Sequence, residues 1–569
     1  MAIACLALPG LEVLTGRPGS PALPGGALAA QAPAPIAPRP NPREWSSGGR
    51  LIPEQRAYDV TYYDLAFRVD PADSTLQGDA TIHARVVAPL RWIVVDLDSA
   101  FTVDRVTDRD GAALPFEHRR LRLWIRPAAP LAQGQTFAVR IRYGGQPRVA
   151  ARPPWIGGFQ WARTPNGDPW IATTTVNEGA DLFWPVKDHP SDKADSVRIR
   201  ITVPRGLVAA SNGRPLGVDR NDDGTVTWNW LVSTPISNYN VALNIGPYRE
   251  VTRRYPSVAG DTIPVTYWVL PENVAQGEKL ADEILEHLRF YENLLGPYPF
   301  RADKYGVVET PHLGMEHQTI IAYGNRYQAN RYGFDELHQH ELAHEWFGNL
   351  ITARDWSDYW LHEGFGTYMQ PLYVERTRGP EAYREMILTQ WKATRNRRPV
   401  AEPGPLTAGE VYFNPPDYLA GDGDIYGKGS VVLHTLRFLV GDSLFFPILR
   451  RWLYPTPAAE RVTDGSHVRL VSTDEFVAHA SRMARRDLRW FFDVYVRQPE
   501  LPRLEVTRSG GTLRLRWKAP KGLPFPMPIE VEIDGVTRRI PMPGGAATVR
   551  VAPESRVAVD PGEWVFRVR

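Results

Sequence analysis

The residues best placed to do chemistry are His340-Glu341-Leu342-Ala343-His344. Two histidines four apart on a helix lie one turn above each other on the same face, so both imidazoles can reach one ion. With Glu341 beside the first of them, this is the HExxH arrangement, in which the histidines hold zinc and the glutamate works on a bound water. A catalytic zinc usually takes three protein ligands and leaves one position for water. Glu363, in Trp360-Leu361-His362-Glu363-Gly364, is the candidate third ligand. The residues between it and His344 run from 345 to 362. That interval accommodates a helix end, a connection around Thr352-Ala353-Arg354-Asp355 and the start of a second helix. The second helix carries Trp360, Leu361, Phe365, Tyr368, Met369 and Leu372 at helical spacing. A carboxylate set among such residues is costly to bury unless it is paired or coordinates a metal. The alternative is a surface helix whose histidines and glutamates face water. His338 and Glu345 lie off the His340/His344 face and are expected to be solvated or to back the ligands.

These residues resemble a known family, the zinc aminopeptidases of the aminopeptidase N type (gluzincins, peptidase family M1). The family pattern is HExxH-x-W-x-G-N followed by W-L-N-E-G. This chain reads His340 through His344, Glu345-Trp346-Phe347-Gly348-Asn349, then Trp360-Leu361-His362-Glu363-Gly364, with His362 in place of Asn. The likeness extends over roughly residues 55 to 500. It implies His340, His344 and Glu363 as ligands of one Zn2+ and Glu341 as general base. Three further segments match in part. Thr173-Thr174-Thr175-Val176-Asn177-Glu178, followed by Trp184-Pro185-Val186-Lys187-Asp188-His189-Pro190, aligns with the family's Thr-Gln-x-Glu/Gln element and places its amine-binding acid on Glu178. Val176 stands where Gln is usual, and the other reading of Glu178 is an ordinary loop glutamate. Gly314-Met315-Glu316 matches Gly-x-Met-Glu-Asn, with Leu313 for the first Gly and His317 for the Asn. The resemblance gives Glu316 the substrate's amino end and lays the backbone of Gly314 and Met315 beside the peptide. Tyr426-Gly427-Lys428-Gly429 matches Tyr-Glu-Lys-Gly at a helix start, which implies that Tyr426 faces the substrate carbonyl.

Around these residues the chain divides by pattern. Residues 1 to 50 are rich in Pro, Gly and Ala and keep no helical or strand period, as an extended, disordered linker does. Ala27-Leu28-Ala29-Ala30 looks like a cleavage site, but the stretch before it lacks a basic start and is broken by Pro9, Gly10 and Pro21. Export to a periplasm or the exterior is expected, with a cytoplasmic location as the alternative. Residues 51–253 read as an antiparallel β-domain. Leu121–Ile125 and Phe137–Tyr143 alternate clearly and Tyr58–Val69 loosely, with turn signals at Asp110-Gly111, Gly144-Gly145, Asn212-Gly213 and Asp223-Gly224. Residues 254–500 form the mostly helical, thermolysin-like zinc domain that the resemblance implies. A helix over about 272 to 295 repeats Leu280, Ile284, Leu288, Tyr291 and Leu295 and stops at Gly296-Pro297. Residues 501–569 return to period two, with a hairpin signal at Asp534-Gly535, and suggest seven short strands in a small β-sandwich. The fold class expected is multidomain α+β. Many relatives continue into a helical domain that covers the cleft; without one, an open site is expected unless a partner covers it.

Composition narrows the function classes. Lys and Arg number 66 against 64 Asp and Glu, so net charge gives no reason to expect nucleic acid. The single cysteine, Cys5, makes no intrachain disulfide and no cysteine-built metal site. No apolar run reaches the length of a membrane span. The resemblance implies hydrolysis of the first peptide bond of peptides with a free amino end. Three rivals remain: an endopeptidase, which has no use for amine-binding acids; an epoxide hydrolase of the same fold; and a non-catalytic relative, which would be expected to lose ligands or base. The oligomeric state and the preferred first residue are not legible.

Overall fold

The computed structural model describes residues 46–413 and 423–569. Most of the expected leader and linker, residues 1–45, lies outside that range.

The N-terminal portion is β-rich. A seven-stranded sheet runs in the order Arg214–Arg220, Thr225–Val232, Ser196–Pro204, Tyr58–Asp70, Thr75–Val86, Thr136–Gly145, Phe101–Asp108. A four-stranded sheet and a three-stranded sheet complete it. Their inward faces share a core that includes Leu65, Ile82, Ile141, Trp184, Ile199 and Trp230. The loose alternation of Tyr58–Val69 has a cause in a register shift between Val60 and Tyr62, a bulge that interrupts the period of two. Two expectations need correction. The sheet is not antiparallel throughout, because Tyr58–Asp70 runs parallel to Ser196–Pro204; period two reports burial and is silent on direction. Gly144-Gly145 is no turn but the end of a strand paired on both sides. A Cβ on Gly145 would lie 2.5 Å from the carbonyl oxygen of Ala100, so the glycine serves close strand approach.

A five-stranded sheet leads into the helical portion, in the order Arg249–Pro256, Thr262–Val269, Tyr305–Glu309, Ile321–Tyr323, Gly314–Met315. Its first strand spans the limit expected at 253–254. The helix Val274–Leu295 buries Leu280, Ile284, Leu288, Tyr291 and Leu295, and Gly296 ends it at φ +107°. The first metal helix, Glu336–Ala343, is buried all round, which is why it shows no amphipathic period. The second metal helix is Trp360–Arg378, and the helix Gly427–Val440 packs across it. Gly364 and Gly429 meet at that crossing, where a Cβ on Gly429 would stand 2.7 Å from the Cα of Gly364.

The C-terminal residues form two three-stranded sheets, Arg503–Ser509, Thr512–Lys518, Ala546–Arg550 and Val536–Ile540, Ile529–Ile533, Val557–Val559. That is six strands in place of the seven expected. Asp534 and Gly535 take φ of +51° and +82°, the left-handed pair that a two-residue hairpin requires. The chain end then packs on the helical portion. The Tyr495 hydroxyl donates to the Phe566 carbonyl at 2.6 Å, and Trp564 stacks on His434 at 5.0 Å. Among the described residues no helix is long and apolar enough to cross a membrane.

Candidate metal centre and substrate cleft

Asp335 caps the first metal helix, its carboxylate accepting from the backbone N–H of His338 at 2.9 Å. The helix ends at Ala343, so His344 occupies the C-cap, still in helical conformation (φ −67°, ψ −18°). The four-residue spacing therefore survives, and the Nε2 atoms of His340 and His344 face each other 3.1 Å apart. Glu363 enters from the first turn of the second metal helix. Its Oε2 lies 3.5 Å from His340 Nε2 and 3.4 Å from His344 Nε2. Among the described residues these three make the one cluster of His, Cys, Asp or Glu able to hold a metal, with ligand atoms all within 4.8 Å of one another.

The chemistry of the donor set suits zinc. His344 Nδ1 faces the Phe347 carbonyl oxygen at 2.9 Å, so the ring proton belongs there and Nε2 presents its lone pair. Glu363 Oε2 is buried and has no hydrogen-bond partner among the described residues. Burial disfavours a charged His344 imidazole, yet Glu363, Glu316 and Glu341 around it together raise its pKa to about 10. Burial, together with the Glu316 and Glu363 charges, pushes Glu341 up to about 8. Without a metal, positive charge would settle on His344; a cation at the ligand atoms would balance the carboxylates and let both imidazoles stay neutral. Gly366 leaves room for the rings, since a Cβ there would lie 3.1 Å from His344 Cε1.

The remaining candidates fall as follows. Tyr426 precedes its helix, and its hydroxyl donates to Glu363 Oε1 at 3.0 Å. The Gly364–Gly429 crossing makes that approach possible. Burial holds the phenol pKa well above its ordinary value, so the group remains a donor. Gly314 and Met315 form an edge strand paired with Ile321–Tyr323, and Leu313 in place of glycine does not disturb it. The glycine is needed for space: a Cβ on Gly314 would stand 2.7 Å from Glu341 Oε1. Glu316 lines the same cleft, and its Oε1 accepts from the Tyr239 hydroxyl at 3.1 Å. His317 is buried, neither ring nitrogen has a partner among the described residues, and burial pushes its pKa down to about 3.

Glu178 does not join them. Its Oε2 accepts from the Gly157 backbone N–H at 2.7 Å, and the residues of that segment lining the cleft are Val176 and Asn177. The motif left a choice of register that spacing could not resolve, and the cleft takes Val176 and Asn177. His312 is likewise not on the cleft wall, its Nδ1 being paired with the Gln160 side chain at 2.7 Å, whereas Leu313 and Met315 are. His338 and Glu345 are not solvated. His338 bridges His287 (2.9 Å) and Tyr305 (2.7 Å), and Glu345 accepts from the Thr319 N–H at 2.8 Å and the Tyr298 hydroxyl at 3.3 Å. His362 accepts from the Ala353 N–H at 2.8 Å and so fixes the loop before the second helix. Sequence reasoning missed Trp155, Tyr359 and Tyr412 on the cleft wall and Tyr239 behind Glu316. No spacing or motif marked these aromatics among 23 Tyr and 18 Trp.

Comparison with known proteins places the same residues in a family. The family model for the Peptidase family M1 domain matches residues 286–495, and that for the Peptidase M1 N-terminal domain matches 60–240. Endoplasmic reticulum aminopeptidase 1 of Rattus norvegicus is 24% identical over 505 residues, which cover 80% of this chain and 52% of the relative. Aminopeptidase N of Canis lupus familiaris is 30% identical over 325 residues, covering 51% of this chain and 31% of its own. The chain thus spans about half the length, or less, of these curated relatives. The crystal structure of an M1 zinc metallopeptidase from Deinococcus radiodurans superimposes with a TM-score of 0.64 at 26% identity, over 80% of this chain and 96% of the other. A mutant of that protein bound to a Tyr-Ser-Ala substrate gives 0.63 at 25% identity, over 78% and 95%.

Proposed function

The chain belongs to peptidase family M1, and from that premise we propose that it is a zinc aminopeptidase releasing amino-terminal residues from peptides with a free amino end. The observation that carries the reading is convergence: the His340/His344/Glu363 cluster, Glu341, Tyr426 and Glu316 all line one cleft. His340, His344 and Glu363 would hold the zinc ion, which would supply Lewis acidity toward the scissile carbonyl and toward water near neutral pH. Glu341 takes a proton as water adds to the carbonyl carbon, and delivers it to the nitrogen as the C–N bond breaks. Tyr426 donates its phenol hydrogen to the carbonyl oxygen as that oxygen gains negative charge. Glu316 receives the substrate's α-ammonium group, which fixes the cut at the first peptide bond. Glu178, turned toward Gly157, contributes no second carboxylate to that site.

Much of the remaining cleft wall is apolar, with Pro154, Trp155, Val176, Leu313, Met315 and Leu337. Its carboxyl groups, Glu316, Glu341 and Glu363, meet no Lys or Arg among the described lining residues. The test compares leucyl-anilide with N-acetyl-leucyl-anilide. The first should be hydrolysed and the second nearly inert, because acetylation removes the charge that Glu316 meets and leaves a buried carboxylate facing an uncharged group. Equal rates would refute the reading.

A further inference from the structure

The aim of the Glu316 carboxylate is set largely from outside the helical portion. The short 3-10 turn Asn238–Asn240, in the β-rich portion, reaches Glu316 twice. Tyr239 donates its hydroxyl to Glu316 Oε1 at 3.1 Å. Its neighbour Asn240 donates from Nδ2 to Asn349 Oδ1 at 2.6 Å, and Asn349 Nδ2 donates to the Glu316 carbonyl oxygen at 3.0 Å. Two consecutive residues therefore hold Glu316 by its side chain and, through Asn349, by its main chain.

The turn is itself fixed. Thr175 Oγ1 donates to the Tyr239 carbonyl at 3.2 Å, and Asn212 Nδ2 donates to that of Asn240 at 2.8 Å. The Tyr239 ring packs against Trp356 with centroids 5.7 Å apart, and Lys193 Nζ donates to the Asn349 carbonyl at 2.7 Å. Tyr239 is 2% exposed and is not part of the cleft wall, so it acts through Glu316 and not on substrate. A phenol bound to one carboxylate oxygen leaves the other free to meet a cation and removes rotamer freedom that binding would otherwise have to freeze.

We infer that Tyr239 is a positioning residue that aims Glu316 at the substrate's α-ammonium group, so that the amino-end subsite is completed by the β-rich portion. The inference rests on the role given to Glu316 above, and its test separates the two. Two zinc-directed ligands are compared at saturating zinc: leucine hydroxamate and its des-amino analogue, 4-methylpentanohydroxamic acid. Wild type should bind the amino-bearing compound more tightly; equal affinity would remove Glu316 from amine recognition and the inference with it. Tyr239→Phe keeps the ring against Trp356. It should weaken leucine hydroxamate by roughly 10- to 100-fold, the scale of one lost hydrogen bond to a charged group, and leave the des-amino compound within about twofold. KM for leucyl-anilide should rise by a similar factor while kcat changes less, and Tyr239→Phe should add little to Glu316→Gln. Asn240→Ala, which cuts the main-chain strut, should show the same pattern more weakly. Equal weakening of both hydroxamates, or of neither, in folded and zinc-loaded protein overturns the inference.

Discussion

Among single residues, holding the metal and doing the chemistry fall to different side chains. Glu341 lies outside the His340/His344/Glu363 cluster, and its carboxylate faces the Gly314 edge. Glu341→Gln should therefore keep zinc at wild-type stoichiometry while turnover falls by at least ~10²-fold. Loss of the metal in that variant would make Glu341 structural. Tyr426 acts later, on charge that exists only as water adds. Tyr426→Phe should lower kcat by about 10²–10³-fold with KM nearly unchanged, because the lost interaction belongs to the transition state. A kcat within a few-fold of wild type would reduce Tyr426 to a packing residue beside Glu363. That His340, His344, Glu363, Glu341 and Tyr426 come together was legible in the sequence, because fixed helical spacing and short motifs place them. Glu178 was not, because a loop has no period to fix its register, and the choice between Glu178 and Val176 is made by the fold.

At the scale of elements, the site depends on two helices crossing with nothing between their backbones. Gly364 and Gly429 meet where Tyr426 is brought to Glu363, and a methyl on Gly429 would collide with main chain. Gly429→Ala should cost about 1–3 kcal/mol, as overpacking does. Its activity should fall further than its unfolded fraction explains, since the helix carrying Tyr426 must shift. Denaturation and kcat measured on the same preparation check this; full activity in the destabilised variant would show that the crossing does not set Tyr426. The same helix is also braced by the chain end that follows the last strand. His434 stacks on Trp564, and Thr435 Oγ1 donates to the Trp564 carbonyl at 3.1 Å. Helix and strand positions were foreseen from period and turn residues. The parallel pairing of Tyr58–Asp70 with Ser196–Pro204 was not, because alternation is the same in either direction.

At the scale of the whole molecule, buried neutral imidazoles make stability depend on pH. Burial pushes His287, His312 and His317 each down to about 3, from 6.5. Between those values the unfolded chain binds a proton at each site and the folded chain does not. The stability these three imidazoles contribute is therefore complete above about 6.5 and declines as pH falls toward about 3, by up to ~1.4 kcal/mol per pH unit for each. His312→Gln, whose amide can still meet Gln160, should reduce that slope by one proton's worth. Chemical denaturation at pH 7, 6 and 5 with saturating zinc measures it, and an unchanged slope would mean that His312 titrates alike in both states. The portions rich in strand and in helix were legible because composition and period change between them. How they meet was not, since the contact of Tyr239 with Glu316 joins residues 77 apart with no common pattern. The central claim is that this assembly removes residues from the amino end. The most direct measurement is a mass time course of one unmodified peptide with zinc-loaded protein, beside its N-acetylated twin. The account predicts successive losses of single amino-terminal residues from the first and none from the second; internal cuts, or no cleavage of either, would contradict it.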